Sequence, residues 1–175
     1  IIKDIKTDNL LADLSEGRVP VVTGFQGINA DGHITTIGRG GSDITAVTLA
    51  AALKADECQV YTDVDGIYTS DPQVVKEARL LSQITFDEMI ELAALGAKVL
   101  HSQAVKFAHR YRVPLRVLST FKDGEGTLLT FADEEHLMPT VSGIAFDPNQ
   151  AKLTIIGLPS SSKTLSQVMS ALNQA

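Results

Sequence analysis

The feature that most constrains the fold of this chain is a glycine-rich segment at residues 38–43, with the sequence GRGGSD. It joins an extended, β-branched run at residues 34–37 to an alanine-rich run at residues 44–55 that has helical character. Glycine lets a backbone turn sharply and approach a ligand closely, and the free N–H groups at a helix start attract anions. The segment therefore predicts a strand–loop–helix unit whose loop holds a negatively charged group, with Ser42 or Asp43 capping the helix.

Arg39 lies inside this loop and adds a planar, two-pronged donor that suits a carboxylate or a phosphate. The loop is not a P-loop, because no Gly-Lys-Ser/Thr follows at the required spacing, and it does not match the dinucleotide pattern Gly-x-Gly-x-x-Gly. A glycine-rich turn can also join a strand to a helix without binding anything. On loop chemistry alone, both an anion site and a purely architectural turn stay open.

Short apolar runs alternate with amphipathic runs over most of the chain, which indicates alternating strands and helices. Strands are predicted at residues 20–24, 34–37, 59–62, 115–119 and 127–131. Helices are predicted at residues 9–16, 44–55, 86–95 and 102–112. This order predicts an α/β fold with a mostly parallel sheet and helices on both faces. In such sheets ligands bind beyond the carboxyl ends of the strands, where the glycine segment and a polar loop at residues 63–72 both lie.

Local signals mark the ends of several elements. Asp8 is placed to cap the first helix. Thr85 and Glu88 form a capping box at the start of the third helix. A turn at residues 29–32 precedes the strand at residues 34–37.

The composition changes at residues 132–140, a charged segment that is typical of a linker. Beyond it, two strands are predicted at residues 141–146 and 152–157, followed by a helix. That helix carries four apolar side chains at helical spacing: Leu165, Val168, Met169 and Leu172. A β-β-α unit of this size is too small to be stable alone. Because the chain also opens without Met, we expect it to be a piece of a longer protein.

Composition limits the function classes. The net charge of −6 and the isoelectric point near 5.1 argue against a nucleic-acid or anionic-membrane surface. No apolar run approaches the ~18 residues of a membrane span, and no signal-peptide pattern opens the chain. Cys58, the only cysteine, lies in an apolar run that predicts a buried thiol, and the four histidines show no metal-ligand spacing. We therefore expect a cytoplasmic protein without a protein-held metal site.

Two further segments are suited to chemistry. Residues 62–66 (TDVDG) end a predicted strand with oxygen acceptors for a ribose, a base edge or a hydrated metal. A turn that uses Asp and Gly for their backbone habits explains the same letters. Lys98 follows Gly96 at a helix end, where it either balances the helix dipole or clamps a phosphate. Spacing alone does not choose between these interpretations.

Five strings in one order resemble the aspartate kinases of the amino-acid kinase family over residues 17–131. They are VTGFQG at 22–27, TIGRGGSD at 36–43, TDVDGIYTSDP at 62–72, LGAKVLH at 95–101 and VPLRV at 113–117. The resemblance implies an amino-acid kinase fold. It also implies ATP-dependent phosphorylation of the L-aspartate side chain to 4-phospho-L-aspartate, the first step towards lysine, threonine and methionine.

The same resemblance implies roles for individual residues. Arg39 would bind a carboxylate of aspartate, Asp43 would lie beside the transferring phosphoryl group, and Lys98 would contact the nucleotide phosphates. The rest of the implied aspartate-binding loop is Gly40, Gly41 and Ser42. The other implied nucleotide-binding residues are Thr62, Asp63, Tyr68, Thr69, Ser70, Asp71, Pro72 and Gln73. ATP with Mg²⁺ is the implied cosubstrate, and such transfers depend on positioning and cationic stabilisation.

Two departures from the family pattern affect these expectations. Gln73 stands where the family usually has an arginine after the Asp-Pro pair, so we expect weaker ATP binding. The Lys-Phe-Gly-Gly-Thr-Ser segment that opens family members is absent, so we expect this chain alone to be inactive. The loop around Arg39 and the C-terminal tail disfavour a relative acting on glutamate or a nucleotide. A non-catalytic nucleotide-binding fragment or regulatory module of an aspartate kinase remains as the alternative.

The residues from Val141 onwards resemble the start of a ferredoxin-like ACT regulatory region, where lysine or threonine inhibits many family members. Residues 160–163 (SSSK) depart from the usual effector loop of ACT regions, and this departure disfavours effector binding at this position. The resemblance divides the chain into a nucleotide-binding part of a kinase domain at residues 1–131, a linker at 132–140 and a partial ACT-like domain at 141–175. Because ACT regions pair between chains, it also implies a homo-oligomer or a regulatory subunit.

Overall fold

The computed structural model describes residues 2–97, 99–131, 141–147, 154–157 and 161–174. Its helices are α1 (Asp8–Ser15), α2 (Gly41–Leu53), α3 (Phe86–Ala94), α4 (Ser102–Tyr111) and α5 (Ser162–Gln174). Its strands are β1 (Gln26–Ile28), β2 (Ile34–Thr36), β3 (Cys58–Thr62), β4 (Gln83–Thr85), β5 (Leu115–Ser119) and β6 (Thr127–Thr130). Within these described ranges, none of the helices has the length and hydropathy that crossing a bilayer requires.

A four-stranded sheet in the order β3-β5-β6-β4 forms the centre of the fold. β3 runs parallel to β5, from Cys58 beside Leu115 to Thr62 beside Ser119. β4 runs parallel to β6, whereas β5 and β6 are antiparallel and consecutive in the chain. The predicted α/β class is confirmed, and the sheet is mixed because its central pair is antiparallel.

The hydrophobic core lies between this sheet and helices α2, α3 and α4. β5 buries Leu115, Val117 and Leu118, as expected for a strand inside a sheet. The helices contribute buried side chains that pack on it: Val47, Phe86, Met89, Val105 and Ala108. Each fully buried large apolar side chain contributes roughly 1.5–3 kcal/mol to folding.

Cys58 begins β3 with a buried side chain. Burial, with smaller contributions from the negative charges of Asp43 and Glu57, raises the pKa of its thiol to about 11. Because the thiolate is the reactive form of cysteine, this thiol is chemically inert at neutral pH. The predicted buried thiol is confirmed.

The strand predicted at residues 20–24 is wrong. Within the described residues this segment pairs with no strand, and Val19 and Val21 are 87% and 96% exposed. An apolar run becomes a buried strand only when neighbouring strands and helices cover it. Here the segment ends instead at Phe25, whose φ is +69° and whose N–H donates to Thr45 Oγ1 over 3.2 Å.

The strand predicted at residues 34–37 exists as β2, but it lies outside the central sheet. It pairs with β1 as an antiparallel hairpin, with Gln26 opposite Thr36. The predicted turn at residues 29–32 is confirmed, and the Asn29 N–H donates to the His33 carbonyl over 2.9 Å. Because this short turn returns the chain onto β1, β2 pairs locally.

The predicted helix ends are confirmed at α3. Thr85 Oγ1 accepts the Glu88 N–H, and the Glu88 carboxylate accepts the Thr85 N–H over 2.9 Å, which completes the capping box. At α1 the predicted cap is wrong, because the helix already begins at Asp8 and Thr7 occupies the N-cap position without a side-chain hydrogen bond. β4 was not predicted, since three residues leading directly into α3 give no periodicity of their own.

The two strands predicted after the linker are not formed in the described residues. Residues 141–147 are irregular and lie beside α3, and the Ile144 N–H donates to the Thr69 carbonyl over 2.8 Å. Residues 154–157 are also irregular. The predicted helix is present as α5, with Leu165 and Met169 exposed. Short strands need neighbours that satisfy their backbone, and none is described here. The linker at residues 132–140 lies outside the described residues.

Thr127 fixes the loop that follows β3. Its side chain is fully buried, and Oγ1 accepts the Ile67 N–H over 2.8 Å and donates to the Leu81 carbonyl over 2.6 Å. Gly66 has φ +149°, and a Cβ built there would lie 2.6 Å from this same oxygen. One hydroxyl therefore holds two separate backbone segments against β6.

Replacing that hydroxyl by a methyl group tests this role. We expect Thr127→Val to destabilise the protein by about 1–3 kcal/mol, because a buried N–H and a buried carbonyl lose their partner. Urea-induced unfolding followed by circular dichroism measures the change. Thr130→Val on the same strand is the matched control and should shift stability by less than about 0.5 kcal/mol. Equal effects of the two substitutions would contradict the role of Thr127.

Candidate active site

The topology places two helix N-termini at one edge of the sheet. α2 leads into β3 and α4 leads into β5 through short turns, and both helices end at a left-handed residue, Lys54 and Arg112. A helix that feeds a parallel strand runs back along it, so both N-termini lie near the carboxyl ends of β3 and β5. α2 and α4 also pack against each other. The loops at this edge form the candidate site.

The glycine loop at residues 38–43 is a tight left-handed turn. Gly38 and Gly40 have φ of +101° and +73°, and the Gly41 N–H donates to the Gly38 carbonyl over 2.9 Å. α2 therefore begins at Gly41, and the prediction that Ser42 or Asp43 caps it is wrong. A capping side chain requires an extended backbone, whereas the N-cap position here is the left-handed Gly40.

This geometry leaves the start of α2 without a side-chain cap. The first N–H groups of a helix need a partner from outside it, and an anion is a suitable one. Arg39 is exposed between the two left-handed glycines, and no ion pair among the described residues includes it. Ser42 is exposed and Asp43 is half-buried in the first turn of the helix. The loop thus presents an unpaired cation beside uncapped backbone donors.

The segment around Phe25 supports the glycine loop from one side. A Cβ built on Gly41 would lie 3.0 Å from Phe25 Cδ2 and 3.1 Å from Ile37 Cβ, so these side chains pack against the loop. The Ile37 N–H donates to the Phe25 carbonyl over 2.9 Å. Two strings that the sequence presents separately, at residues 22–27 and 36–43, therefore form one unit.

The predicted nucleotide loop begins at the end of β3. The Thr62 carbonyl accepts the Thr120 N–H over 2.8 Å, which ties the ends of β3 and β5 together. Thr62 Oγ1 donates to Asp63 Oδ1 over 3.1 Å, and the Asp63 side chain is exposed. Both residues lie at the carboxyl edge, as predicted.

The rest of this loop is folded onto itself. The Thr69 N–H donates to the Arg79 carbonyl over 2.9 Å, and Thr69 Oγ1 accepts the Arg79 N–H over 3.0 Å. Asp71 Oδ1 accepts the Gln73 N–H over 2.8 Å in an Asx turn. Ser70 is half-buried, whereas Pro72 and the Gln73 side chain are exposed. The loop therefore has a defined shape before any ligand binds.

An ion pair that the sequence did not predict lies beside this loop. Lys122 Nζ donates to Asp65 Oδ2 over 2.8 Å, and the Tyr68 hydroxyl donates to the same oxygen over 3.2 Å. The hydrogen bond from Lys122 lowers the pKa of Asp65. Burial and the Asp65 charge raise the pKa of Tyr68. The sequence pattern offered Asp65 as an oxygen acceptor for a ligand or as a turn residue, and not as the partner of Lys122, which belongs to no recognisable pattern.

A polar cavity of about 300 Å³ opens next to this pair. It is lined by Tyr61 of β3, by the end of β5 and by the loop that follows β5: Leu118, Ser119, Thr120, Phe121, Lys122, Asp123 and Gly124. It lies at the carboxyl ends of the two strands, on the same edge as Thr62.

A larger cavity of about 640 Å³ lies elsewhere, between α3 and residues 141–145. Ser142 donates a hydrogen bond to the Glu88 carboxylate there. Burial alone would raise the pKa of Glu88, but the hydrogen bonds from Ser142 and Thr85 outweigh it and lower the pKa. No residue of the glycine loop lines this cavity.

Lys98 lies outside the described residues. The chain continues from it through Leu100, which is buried, to His101, which packs on the glycine loop.

Among the described residues, no three His, Cys, Asp or Glu side chains are grouped to hold a metal ion. Mg²⁺ in phosphoryl transfer needs no such group, because one or two carboxylates and the substrate phosphates bind it. The half-buried Asp43, beside an anion-binding loop, has the chemistry for that role.

The fold and the loop define an α/β protein with an exposed arginine and a helix start without a side-chain cap at the carboxyl edge of its sheet. Comparison with known proteins gives the family: the model described as the amino acid kinase family matches residues 1–119. The chain belongs to the amino acid kinase family.

Similar proteins in that family include aspartokinases. The aspartokinase of Pseudomonas aeruginosa is 56% identical over 99% of this chain, which covers 43% of that protein. The crystal structure of aspartate kinase from Synechocystis is 56% identical with a TM-score of 0.63, covering 74% of this chain and 22% of its own. E. coli aspartokinase III in complex with aspartate and ADP is 44% identical with a TM-score of 0.65, and the match covers 72% of this chain and 28% of that one. The structure of the same enzyme in complex with lysine and aspartate is 45% identical with a TM-score of 0.63, and the two coverages are the same. The chain spans less than half the length of these relatives.

The Asp65–Lys122 pair yields a pH-dependent prediction. The pKa of Asp65 is lowered in the folded state, so the pair stabilises the fold above the unfolded pKa of about 4 and loses its effect as the pH falls through the folded pKa. We expect Lys122→Met to lower the melting temperature at pH 7, with the difference from wild type narrowing below about pH 4.

Melting curves between pH 3 and 7 measure this difference. Carbon-13 NMR of the Asp65 carboxyl should show its pKa returning towards the ordinary value in Lys122→Met. Lys106→Met, which removes an exposed lysine of α4, is the control and should leave Asp65 unchanged. A pH-independent difference between Lys122→Met and wild type would contradict the assignment.

Proposed function

We propose that the protein containing this chain is an aspartokinase, which transfers the γ-phosphoryl group of ATP to the side-chain carboxylate of L-aspartate. The observation that supports this most directly is the left-handed glycine loop, where Arg39 has no ion-pair partner among the described residues and the start of α2 has no side-chain cap. The similar proteins named aspartokinase, one of them solved with aspartate and ADP, support the same reaction. The product would be 4-phospho-L-aspartate, which leads towards lysine, threonine and methionine.

The chemistry of this reaction makes particular demands on the site. The aspartate side chain is ionised at pH 7, so it needs no general base. A carboxylate oxygen attacks the γ-phosphorus while the bond to the β–γ bridging oxygen breaks, and ADP leaves. The obstacle is repulsion between the anionic nucleophile and the anionic phosphates, which cations at fixed positions offset. A loop that presents Arg39 and helix-terminal N–H groups meets this demand.

The residues divide into an aspartate part and a nucleotide part. Arg39 would bind a carboxylate of aspartate through its two-pronged guanidinium, with Gly40, Gly41 and Ser42 closing around it. Asp43 would lie beside the transferring group, where it would hold Mg²⁺ bound with ATP. The chemistry supplied by that ion is neutralisation of the phosphate oxygens.

The nucleotide part comprises the folded loop after β3. Thr62 and Asp63 would contact the adenosine portion of ATP from the carboxyl end of that strand. The proposed lining of the nucleotide site is Tyr68, Thr69, Ser70, Asp71, Pro72 and Gln73. Lys98 would complete the site at the nucleotide phosphates. The internal hydrogen bonds of this loop support the assignment, because a pre-shaped loop loses little entropy when ligand binds.

We further infer that other parts of the protein complete the site and regulate it. The chain covers 43% of the Pseudomonas aeruginosa relative, so we expect residues outside it to supply the remaining aspartate and phosphate contacts. We propose a kinase part at residues 1–131, of which the family match covers residues 1–119, followed by a linker at 132–140 and a regulatory part from residue 141. The relative solved with lysine supports lysine as an effector. We propose threonine as the other candidate effector and a homo-oligomer as the assembly. A non-catalytic module remains as the second candidate, favoured by Gln73.

A coupled ADP-release assay tests the reaction. We expect the full-length protein to release ADP from MgATP only when L-aspartate is present, and residues 1–175 alone to release none. Release by the full-length protein with L-glutamate or a nucleoside monophosphate, but not with aspartate, would contradict the proposal. No release with any acceptor would favour the non-catalytic module.

Arg39→Gln in the full-length protein tests the aspartate contact. We expect the KM for aspartate to rise by roughly 10- to 100-fold, because a charge-assisted hydrogen bond of about 1.5–3 kcal/mol is lost. The KM for ATP should change little. Arg110→Gln, which removes an exposed arginine from α4, should leave both constants unchanged. An unchanged KM for aspartate in Arg39→Gln would show that another residue binds the carboxylate.

Gln73→Arg tests the nucleotide loop. The Gln73 side chain is exposed at the end of the Asx turn, so an arginine fits there without disturbing the fold. We expect ATP to bind more tightly by about 1–2 kcal/mol, because a charged donor replaces a neutral one. Isothermal titration with ATP measures this. Unchanged ATP affinity would mean that residue 73 does not contact the nucleotide.

A further inference from the structure

We propose that His101 is a positioning residue whose ring fixes the conformation of the glycine loop, and with it the placement of Arg39. The part of this inference that concerns aspartate rests on the proposed function. The sequence indicated only an ordinary surface or structural histidine at this position. The structure places the ring against the loop instead.

The ring of His101 lies directly on Gly40. A Cβ built on Gly40 would lie 2.3 Å from His101 Cγ, 2.6 Å from Cβ and 2.7 Å from Nδ1, all far inside van der Waals contact. Gly40 also has φ +73°, a conformation that other residues rarely adopt. Two separate features therefore favour glycine at position 40: the left-handed backbone, and the ring of His101, which leaves no room for a Cβ.

His101 is itself held by a rigid support that does not involve the loop. It is the N-cap of α4, where Nδ1 accepts the Gln103 N–H over 3.4 Å. Its carbonyl accepts the Ala104 N–H over 2.9 Å. Leu100 before it is buried, and Ala104 and Val105 after it are fully buried. The helix fixes the ring, so the ring is a fixed surface against which the loop packs.

The loop needs such a surface because its own residues do not fix its shape. Glycines at positions 38, 40 and 41 have more accessible backbone conformations than any other residue. Phe25 and Ile37 pack against Gly41, whereas His101 packs against Gly40. Arg39 is attached between these contacts, so a shift of Gly40 displaces its guanidinium.

Two substitutions separate this positioning role from simple helix capping. His101→Gly removes all three contacting atoms, Cβ, Cγ and Nδ1, and glycine is well tolerated at an N-cap. His101→Phe keeps a ring but removes the acceptor. In the full-length protein we expect His101→Gly to raise the KM for aspartate by about 10- to 100-fold, as small misplacements at an active site do, with little change in melting temperature. His101→Phe should keep the KM for aspartate near wild type and lower the melting temperature.

The opposite ranking of the two variants would overturn the proposal, because it would show that capping alone matters. The KM for ATP serves as an internal reference and should change less than the KM for aspartate. His33→Gly makes the same chemical change at an exposed histidine in the β1–β2 turn. It should leave both constants unchanged.

A double-mutant cycle tests the contact itself. Gly40→Ala creates a clash with the ring, so we expect a large loss of kcat/KM for aspartate. Combining it with His101→Gly removes all three clashing atoms, and the double variant should be more active than Gly40→Ala alone. Gly27→Ala is the control, since a Cβ there meets no atom within 4 Å. If the fold-losses in kcat/KM of the two single variants simply multiply in the double variant, the contact between Gly40 and His101 is not the cause of the losses, and the proposal is overturned.

Amide hydrogen exchange separates failure of this proposal from failure of the proposed function. If wild type shows no aspartate-dependent release of ADP, the kinase proposal fails, whereas the loop can still be observed directly. We expect the Gly41 amide, which donates to Gly38, to exchange faster in His101→Gly and at the wild-type rate in His33→Gly. Equal exchange rates in wild type and His101→Gly would overturn the positioning role regardless of activity.

Discussion

The parallel pairing of β3 with β5 is the constraint on which the candidate site depends. It brings the carboxyl ends of both strands to one edge, where the Thr62 carbonyl accepts the Thr120 N–H. The helices that feed these strands, α2 and α4, consequently start at that edge and pack against each other. The contact between Gly40 and His101 follows from this arrangement, although the two residues are far apart in the sequence. The pairing of strands in the sheet therefore determines where the site lies and where its loops are held.

Sequence patterns predicted the elements that depend on local interactions. The capping box of Thr85 and Glu88 involves residues three apart, and β5 is enclosed by its own sheet. The run at residues 20–24 has a similar apolar character, but burial requires neighbours that no local pattern records, and Val21 is almost fully exposed. The sequence-based prediction placed the start of α2 too late, because a left-handed glycine at the N-cap lets a helix begin without a capping side chain. Whether a helix begins in this way depends on the backbone conformation, which the amino-acid composition does not reveal.

The residues of the candidate site also divide into those with a local sequence signal and those whose role depends on contacts distant in the sequence. Arg39 and the loop after β3 could be found from sequence, because glycine spacing and oxygen-rich strand ends are local signals. Asp65 and Lys122 could not be paired in advance, since their contact joins two loops brought together by β3 and β5. His101 gave no signal either, because its partner is a glycine that has no side chain to reveal a contact. Residues that set the geometry of a site through packing are the ones that sequence patterns miss.

The proposed phosphoryl transfer to a carboxylate would explain why this kind of geometry matters. In that reaction the nucleophile is already charged, so the protein would contribute mainly the placement of cations around two anions that repel each other. Glycine allows the backbone to approach such anions, but it also leaves the loop conformationally free, and a free loop would lose entropy on binding. Side chains from outside the loop remove that freedom in advance: Phe25 and Ile37 on one side, His101 on the other. The loop can therefore be glycine-rich because helix α4, which belongs to a different part of the chain, fixes its shape.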